Sequence, residues 1–302
     1  MSGAVTVSSG TLPALVRLAR PHQWIKNGFV LVGLLFGHAW HDALLVREVL
    51  LAFAGFCLVA SGIYAFNDLR DREADRVHPR KRSRPLASGT LTPAAGAAFA
   101  VVLIAAGLGV GFSVSMQAGA LMLAYVVLNV AYSLGLKHVA ILDVFIIAAG
   151  FMLRLLVGTV GVGIPPSPWL LVCGLMVTIF LGFAKRRAEL IALSDAGGEH
   201  RPVLDDYSAP LLDNMIAVSA AAVIVSYSLY TVSPETVRLH GTDRLIYTLP
   251  FVLYGIFRYM HRLHRRGGGG DPAWDLIHDP HLVLAAAGWL ATTVWLLAGM
   301  RA

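Results

Sequence analysis

Over 302 residues the chain is 57% hydrophobic and 14% charged, with a formal net charge of +6 and a mean hydropathy of +0.68. These values exclude an ordinary soluble domain, which is roughly 45–50% apolar and 25% charged, and two cysteines exclude a disulfide-built scaffold. The basic residues lie beside apolar runs, so membrane topology accounts for them and no nucleic-acid partner is implied.

The first 20 residues hold no apolar run long enough for a secretory signal. Residues 1–24 read as an interfacial N-terminal segment, because Leu12 to Arg20 is amphipathic and stops at Pro21. Apolar runs near 25–41, 47–67, 93–113, 115–136, 139–160, 168–185, 211–231, 244–262 and 281–300 predict nine crossings, each roughly the 17–25 residues a bilayer requires. The first is the weakest, being short and ending at His38-Ala39-Trp40-His41. The fold class is therefore all-α, a polytopic membrane protein.

Placing the N-terminus in the cytoplasm puts Arg17, Arg20, Lys26, the seven basic residues of 70–84, Lys137, Lys185, Arg186, Arg187, Arg201, Arg258, Arg262, Arg265 and Arg266 on the inner side. That is 19 of the 24 lysines and arginines. Arg47, Arg238, Arg244 and Arg301 fall outside, and Arg154 lies within the fifth run. The bias predicts N-in, C-out by the positive-inside rule. Segments 68–92 and 185–210 become cytoplasmic loops, and Gly267 to Gly270 a flexible tether.

The second run closes on Asn67-Asp68-Leu69-Arg70-Asp71-Arg72-Glu73-Ala74-Asp75. At 100° per residue, Asp68, Asp71 and Asp75 fall within about a 60° arc of one helical face, with Asn67 beside them. Carboxylates so placed repel one another. A hard cation such as Mg²⁺, which prefers oxygen ligands and shares itself with substrate phosphates, resolves the repulsion. Arg70, Arg72, Arg76, Arg80, Lys81, Arg82 and Arg84 supply counter-charge for a polyphosphate. Glu73 points to the opposite face and reads as an ordinary ion-pair residue.

Other ionisable residues gather at the same membrane face. Arg20, Gln23, Lys26 and Asn27 bracket the first run, where they fit either interfacial anchoring, with Trp24 in the aromatic belt, or phosphate contact. Tyr132 and Lys137 close the fourth run and read as substrate contacts. Lys185 and Glu189 form an i, i+4 pair with Arg186 and Arg187 adjacent. One carboxylate among three cations makes a poor metal site and a good phosphate site. Asp143 and Arg154 share a face of the fifth run but stand about 16 Å apart along its axis. Arg154 thus needs another partner in the bundle or lines the cavity. The histidines show no zinc-ligand spacing, and Cys57 and Cys173 read as packed small hydrophobes.

With its N-D-x-x-D-x-x-x-D motif after the second run, the chain resembles the UbiA superfamily of intramembrane prenyltransferases over nearly its whole length. The resemblance implies a single UbiA-like transmembrane domain over 1–302, with nine helices around a cytoplasm-facing cavity, in a bacterial inner membrane. Four segments resemble the branch whose members transfer a phosphoribosyl group to decaprenyl phosphate: Arg20–Asn27, His78–Pro85, Tyr132–His138 and Lys185–Leu190. Family members with a prenyl diphosphate donor usually carry a second aspartate-rich motif where this chain has Lys185 to Glu189.

The resemblance thus implies Mg²⁺ as cofactor, held by Asn67, Asp68, Asp71 and Asp75, with 5-phosphoribosyl 1-diphosphate as donor and a polyprenyl phosphate as acceptor. Lys26, Asn67, Arg82, Arg84, Tyr132, Lys137, Lys185, Arg186 and Glu189 are the expected substrate-binding residues. An aromatic prenyltransferase is the alternative enzyme. A transporter is disfavoured, because its ionisable residues would gather at the bilayer midplane. A homo-oligomer is left open.

Overall fold

The computed structural model describes residues 11–37, 39–78, 81–196, 202–265 and 278–298. His38, Arg80, Arg201, Arg266, Arg301 and the Gly267 to Gly270 tether lie outside them.

All regular structure is helical among the described residues. The α-helices are α1 (Thr11–Ala19), α2 (Val32–Phe36), α3 (Ala43–Arg70), α4 (Arg72–Val77), α5 (Pro93–Val114) and α6 (Met116–Leu134). They continue with α7 (Leu142–Val157), α8 (Pro168–Ala196), α9 (Ala209–Val232), α10 (Pro234–His240), α11 (Leu249–His264) and α12 (Pro280–Ala298). Two compact units emerge: residues 1–136 with 153–165, and residues 137–152 with 166–302.

In the first unit α3 packs chiefly against α5, and α5 against α6. Asp42 starts α3 by accepting from the backbone N–H of Leu44 and Leu45 at 2.9 and 3.1 Å. The α3–α5 contact is close because glycines face each other: a Cβ on Gly107 would stand 2.5 Å from the Gly55 carbonyl oxygen. Ser115 separates α5 from α6, donating to Gly161 O at 2.6 Å while capping Ala118 N at 2.9 Å. Val49, Phe56, Ile63, Met122 and Tyr125 fill the core. α1 buries Ala14 and Leu18 against Ala65, Leu86 and Leu91 while Leu12 and Val16 stay exposed. The second unit is built on α8 against α9 and α11 against α12, around Phe180, Phe183, Leu212, Ile216 and Tyr259.

Among the described residues, seven helical stretches are long and apolar enough to cross a membrane: 43–70, 93–114, 116–134, 142–162, 168–191, 209–232 and 280–298. The two remaining expected runs take other forms. The first becomes a 3-10 helix over Pro21–Leu31 followed by the five-residue α2. Gly33 serves close approach: a Cβ there would lie 2.2 Å from Gly158 O. The eighth splits into a 3-10 turn at Arg244–Thr248 and the 16-residue α11. The expected loop from 185 also differs, because α8 continues as helix to Ala196.

Two anchoring assignments change as well. Trp24 donates its indole N–H to Ser61 Oγ at 3.0 Å, tying the 3-10 helix to α3. Asn27 is 1% exposed. Its amide donates to Cys57 Sγ at 3.2 Å, and its Oδ1 accepts from Arg154 Nε at 2.9 Å. Arg154 also donates to Tyr125 OH at 2.9 Å and stacks over the Tyr125 and Phe56 rings at 4.7 and 5.0 Å. The guanidinium in the membrane therefore has its structural partners within the first unit. Cys57 is buried and Cys173 half-buried, both free thiols.

Candidate functional site

The acidic motif forms a cluster in the first unit. α3 ends at Arg70 and the chain turns at Asp71 (φ −89°, ψ 6°) before α4 begins. Asp71 N–H still bonds Asn67 O at 2.9 Å, and Asp75 N–H bonds Asp71 O at 2.8 Å. The turn therefore preserves helical spacing, and Asp68 and Asp75, seven residues apart, emerge on one side.

The two carboxylates are buried and converge. A single atom, Arg84 Nη1, lies 3.0 Å from Asp68 Oδ1 and 2.6 Å from Asp75 Oδ2. Arg20 Nη2 lies 2.5 Å from Asp68 Oδ1. Arg20 reaches it from a left-handed backbone (φ 53°, ψ 59°) just before Pro21, with its guanidinium 5.6 Å from the Tyr64 ring. That conformation is uncommon for a non-glycine residue. Asn67 Oδ1 accepts from Ser133 Oγ at 2.5 Å, which fixes the amide beside the cluster. Asp71 is half-buried at the turn. Among the described residues no three acidic, histidine or cysteine side chains converge as a preformed metal site. The convergent pair is Asp68 with Asp75.

The loop cations divide their work differently from the expectation. Arg72 and Arg76 bind Glu73, with closest contacts of 2.5 and 2.9 Å. These bonds, that from Arg72 foremost, hold the exposed Glu73 carboxyl below its ordinary range. Lys81 and Arg82 are exposed on a 3-10 turn, and Arg17 donates to Ser83 O at 3.0 Å. Among the described loop residues, Arg84 brings its guanidinium to Asp68 and Asp75, and Arg20, expected at the membrane interface or on a phosphate, reaches Asp68 as well. Lys26, Tyr132 and Lys137 are half-buried.

In the second unit the cluster on α8 is inverted. Arg186 is fully buried, with Nε 3.2 Å from Asp143 Oδ2 and Nη1 2.5 Å from Glu189 Oε2. Lys185 Nζ stands 3.9 Å from Glu189 Oε1. Arg187 turns away: its guanidinium binds the Asp213 carboxylate and donates to Leu263 O at 3.0 Å, tying α8 to α9 and α11. His264 Nε2 lies 3.2 Å from Asp213 as well. The expected balance of one carboxylate among three cations is therefore corrected. Arg187 leaves the group and Asp143 enters it, so two cations face two carboxylates.

Tyr207 completes this cluster, and sequence reasoning missed it. Its hydroxyl donates to Asp143 Oδ1 at 2.9 Å and accepts the Ile141 N–H at 2.6 Å. Ile141 adopts φ 69°. Burial, with Asp143 adding to it, pushes the Tyr207 hydroxyl up to about 12, so it stays a donor at neutral pH. No local pattern links residues 64 apart, although the isolated Asp143 at the head of an apolar run was a sign that a partner was needed.

A family model, the UbiA prenyltransferase family, matches residues 28–278. The chain belongs to this family, and it is an enzyme and a multi-pass membrane protein. It is 33% identical to a decaprenyl-phosphate phosphoribosyltransferase of Mycolicibacterium smegmatis, over 92% of this chain and 90% of that protein. It is 34% identical to the protein of the same name from Corynebacterium glutamicum, over 91% of this chain and 84% of that one. Among solved structures it shares the fold of a UbiA homolog from Archaeoglobus fulgidus bound to GPP and Mg²⁺. There the TM-score is 0.70 at 17% identity, covering 94% of this chain and 99% of the other.

Proposed function

We propose that the chain transfers a 5-phosphoribosyl group from 5-phosphoribosyl 1-diphosphate to decaprenyl phosphate or another polyprenyl phosphate, releasing diphosphate. The observation that carries this reading is the α8 cluster. A prenyl diphosphate donor calls for acidic metal ligands there, whereas this chain has Lys185 and a buried Arg186 balanced by Asp143 and Glu189. Two relatives that match over nine-tenths of the chain are named decaprenyl-phosphate phosphoribosyltransferase, which supports the transferred group and the acceptor.

The first cluster fits Mg²⁺. That ion keeps most of its shell as water and substrate oxygens and needs one or two protein carboxylates. Arg84 Nη1 already marks a point where a cation meets Asp68 and Asp75 at once. Asp68 and Asp75 would hold the ion, with Asp71 and Asn67 completing the set. Mg²⁺ there would neutralise charge on the departing diphosphate.

Arg20 and Arg84, released from the carboxylates, can turn to anionic oxygens of the donor, with Arg82 of the same unit as a further phosphate contact; in the second unit, Lys185 and Arg186 are candidates for phosphate contact in their own right. Lys26 or Lys137 is the candidate for the acceptor phosphate, and Tyr132 a substrate contact. The ribose C1–O bond to diphosphate breaks with its electron pair leaving on diphosphate, and a lipid phosphate oxygen forms the new bond to C1. A phosphate monoester is largely ionised at pH 7, so no protein base is required.

The whole of 1–302 reads as one UbiA-like domain with its N-terminus and active face in the cytoplasm. Nine crossings result if the two interrupted segments also span. A 3-10 helix rises about 2.0 Å per residue and an α-helix 1.5 Å, so residues 21–36 cover about 30 Å and residues 244–264 about 34 Å, enough for a hydrocarbon core. In a cysteine-free background, a cysteine at Ser83 should label only from the cytoplasm and one at Glu235 only from outside; the reverse pattern overturns this orientation.

The reaction itself is tested by offering purified protein two substrate pairs with Mg²⁺. Radiolabelled 5-phosphoribosyl 1-diphosphate with decaprenyl phosphate should give lipid-soluble label. Turnover of a prenyl diphosphate with an aromatic acceptor, and none of the first pair, overturns the proposal.

A further inference from the structure

Arg186 is fully buried, yet its environment is incompletely matched. Its Nε touches Asp143 Oδ2 at 3.2 Å as an ion pair. The contact lacks the alignment of a hydrogen bond, and Arg186 Nε, Arg186 Nη2 and Asp143 Oδ2 are all buried atoms without a hydrogen-bond partner among the described residues. The Nη2 group has two N–H donors to offer. Burying an unmatched charged donor is costly, and such groups in folded proteins call for an explanation.

The support beneath Arg186 is costly too. Ile141 is held at φ 69°, a genuine outlier for a β-branched side chain. This strained conformation aims the Ile141 N–H at the Tyr207 hydroxyl oxygen at 2.6 Å. With that lone pair occupied, the hydroxyl hydrogen is directed to Asp143 Oδ1 at 2.9 Å. Asp143, fully buried, then presents its other oxygen to Arg186. On the opposite side Glu189 holds Nη1 at 2.5 Å and, with Lys185, keeps some surface in contact with solvent. Strain, a buried charge pair and a buried unmatched donor all meet at one guanidinium. Backbone strain and matched outer partners of this kind accompany working groups, which they orient.

We propose that Tyr207 and Asp143 are positioning residues that orient Arg186 so that its unmatched Nη2 donates to an anionic oxygen of the phosphoribosyl donor. The inference rests on the phosphoribosyl reading above and deepens it by naming what holds the guanidinium. A purely structural ion pair would leave donor affinity indifferent to the Tyr207 hydroxyl, whereas a positioning chain makes the effect of Tyr207 depend on Arg186.

The test is a double-mutant cycle on the full-length purified protein. Binding of Mg²⁺ with 5-phosphoribosyl 1-diphosphate is measured calorimetrically in wild type, Tyr207→Phe, Arg186→Lys and the double variant. Decaprenyl phosphate binding and thermal unfolding run in parallel. Tyr207→Phe should weaken donor binding about fivefold to tenfold, the effect of one hydrogen bond. It should raise KM more than it lowers kcat and leave decaprenyl phosphate binding within twofold. In the Arg186→Lys background the same change should add less than about twofold. Asp143→Asn, which keeps the side-chain shape, should follow Tyr207→Phe. Equal losses in both backgrounds, or no loss in wild type, overturn the positioning role. A wild-type protein that fails to bind the donor overturns the phosphoribosyl reading and this inference with it.

Discussion

The two ionic clusters are inverses of each other. In the first unit the carboxylates are the buried partners: Asp68 and Asp75 side chains are each 4% exposed, while Arg20 and Arg84 retain 22% and 28%. In the second unit the cation is buried, together with one of its carboxylates: Arg186 and Asp143 are each 0% exposed, and Glu189 keeps 30%. A fixed buried charge dictates the sign of what it accepts, and the exposed partner is the one that can leave. On the proposed function, Asp68 and Asp75 exchange arginine for a metal ion, whereas Arg186 stays in place.

The largest effect should come from emptying the Arg186 site. Arg186→Ala leaves Asp143 with no matching cation, and breaking a buried ion pair from one side costs about 3–5 kcal/mol. Thermal unfolding should show it, with Arg84→Ala losing about 1 kcal/mol or less because its guanidinium is partly solvated. Equal losses would erase the contrast. In activity the order reverses for the acids. Asp68→Asn and Asp75→Asn should lower kcat/KM by about 100-fold or more, since electrostatic stabilisation of the leaving group is lost, while the protein inserts and purifies normally. Near-normal turnover in both variants would remove the metal site from the account.

Asp279 sharpens the comparison, because it too is a buried carboxylate between partly exposed arginines. Arg258 and Arg262 each approach it at 2.8 Å. The hydrogen bond from Arg258 foremost, then the Leu282 N–H that its Oδ1 caps at 3.0 Å and the bond from Arg262, hold the carboxyl far below the usual range. No second carboxylate converges with it among the described residues. Asp279→Ala should therefore cost about 0.5–2 kcal/mol as a lost helix cap and leave donor binding unchanged.

The smallest effect concerns pH. Tyr207 is raised from an ordinary 10.0 to about 12, so its stabilising contribution is complete below pH 10 and is lost as pH rises through 12. The stability difference between wild type and Tyr207→Phe should stay constant from about pH 6 to 9 and shrink only above about 10. A difference that changes near neutral pH would show that another group titrates in the cluster.

What sequence made legible was what is local. Asn67 to Asp75 could be read because i, i+3 and i+7 spacing survives the turn at Asp71, and the long apolar runs mark seven membrane-length stretches. The run at 25–41 has suitable composition, but it is a 3-10 helix to Leu31 and then a five-residue α-helix in which Gly33 packs on Gly158. The partners of charged residues were hidden by chain distance. Arg154 meets Asn27 across 127 positions, and Arg187 meets Asp213 across 26. Arg186 and Arg187 are adjacent in sequence and alike in composition, yet one faces Asp143 and the other α9. Helical rotation of 100° separates them, and local sequence does not reveal which neighbouring helix each will meet.

The exchange of cations at Asp68 and Asp75 is tested most directly by titrating Mg²⁺ into wild type and Arg84→Gln, with and without diphosphate. Without diphosphate, the variant should bind Mg²⁺ up to about tenfold more tightly, because the ion no longer displaces a guanidinium from both carboxylates. With diphosphate present, the variant should bind more weakly than wild type, because Arg84 is no longer available to the anion. Opposite signs in the two titrations are the predicted result, and a change of the same sign in both would contradict an exchangeable cation at this site.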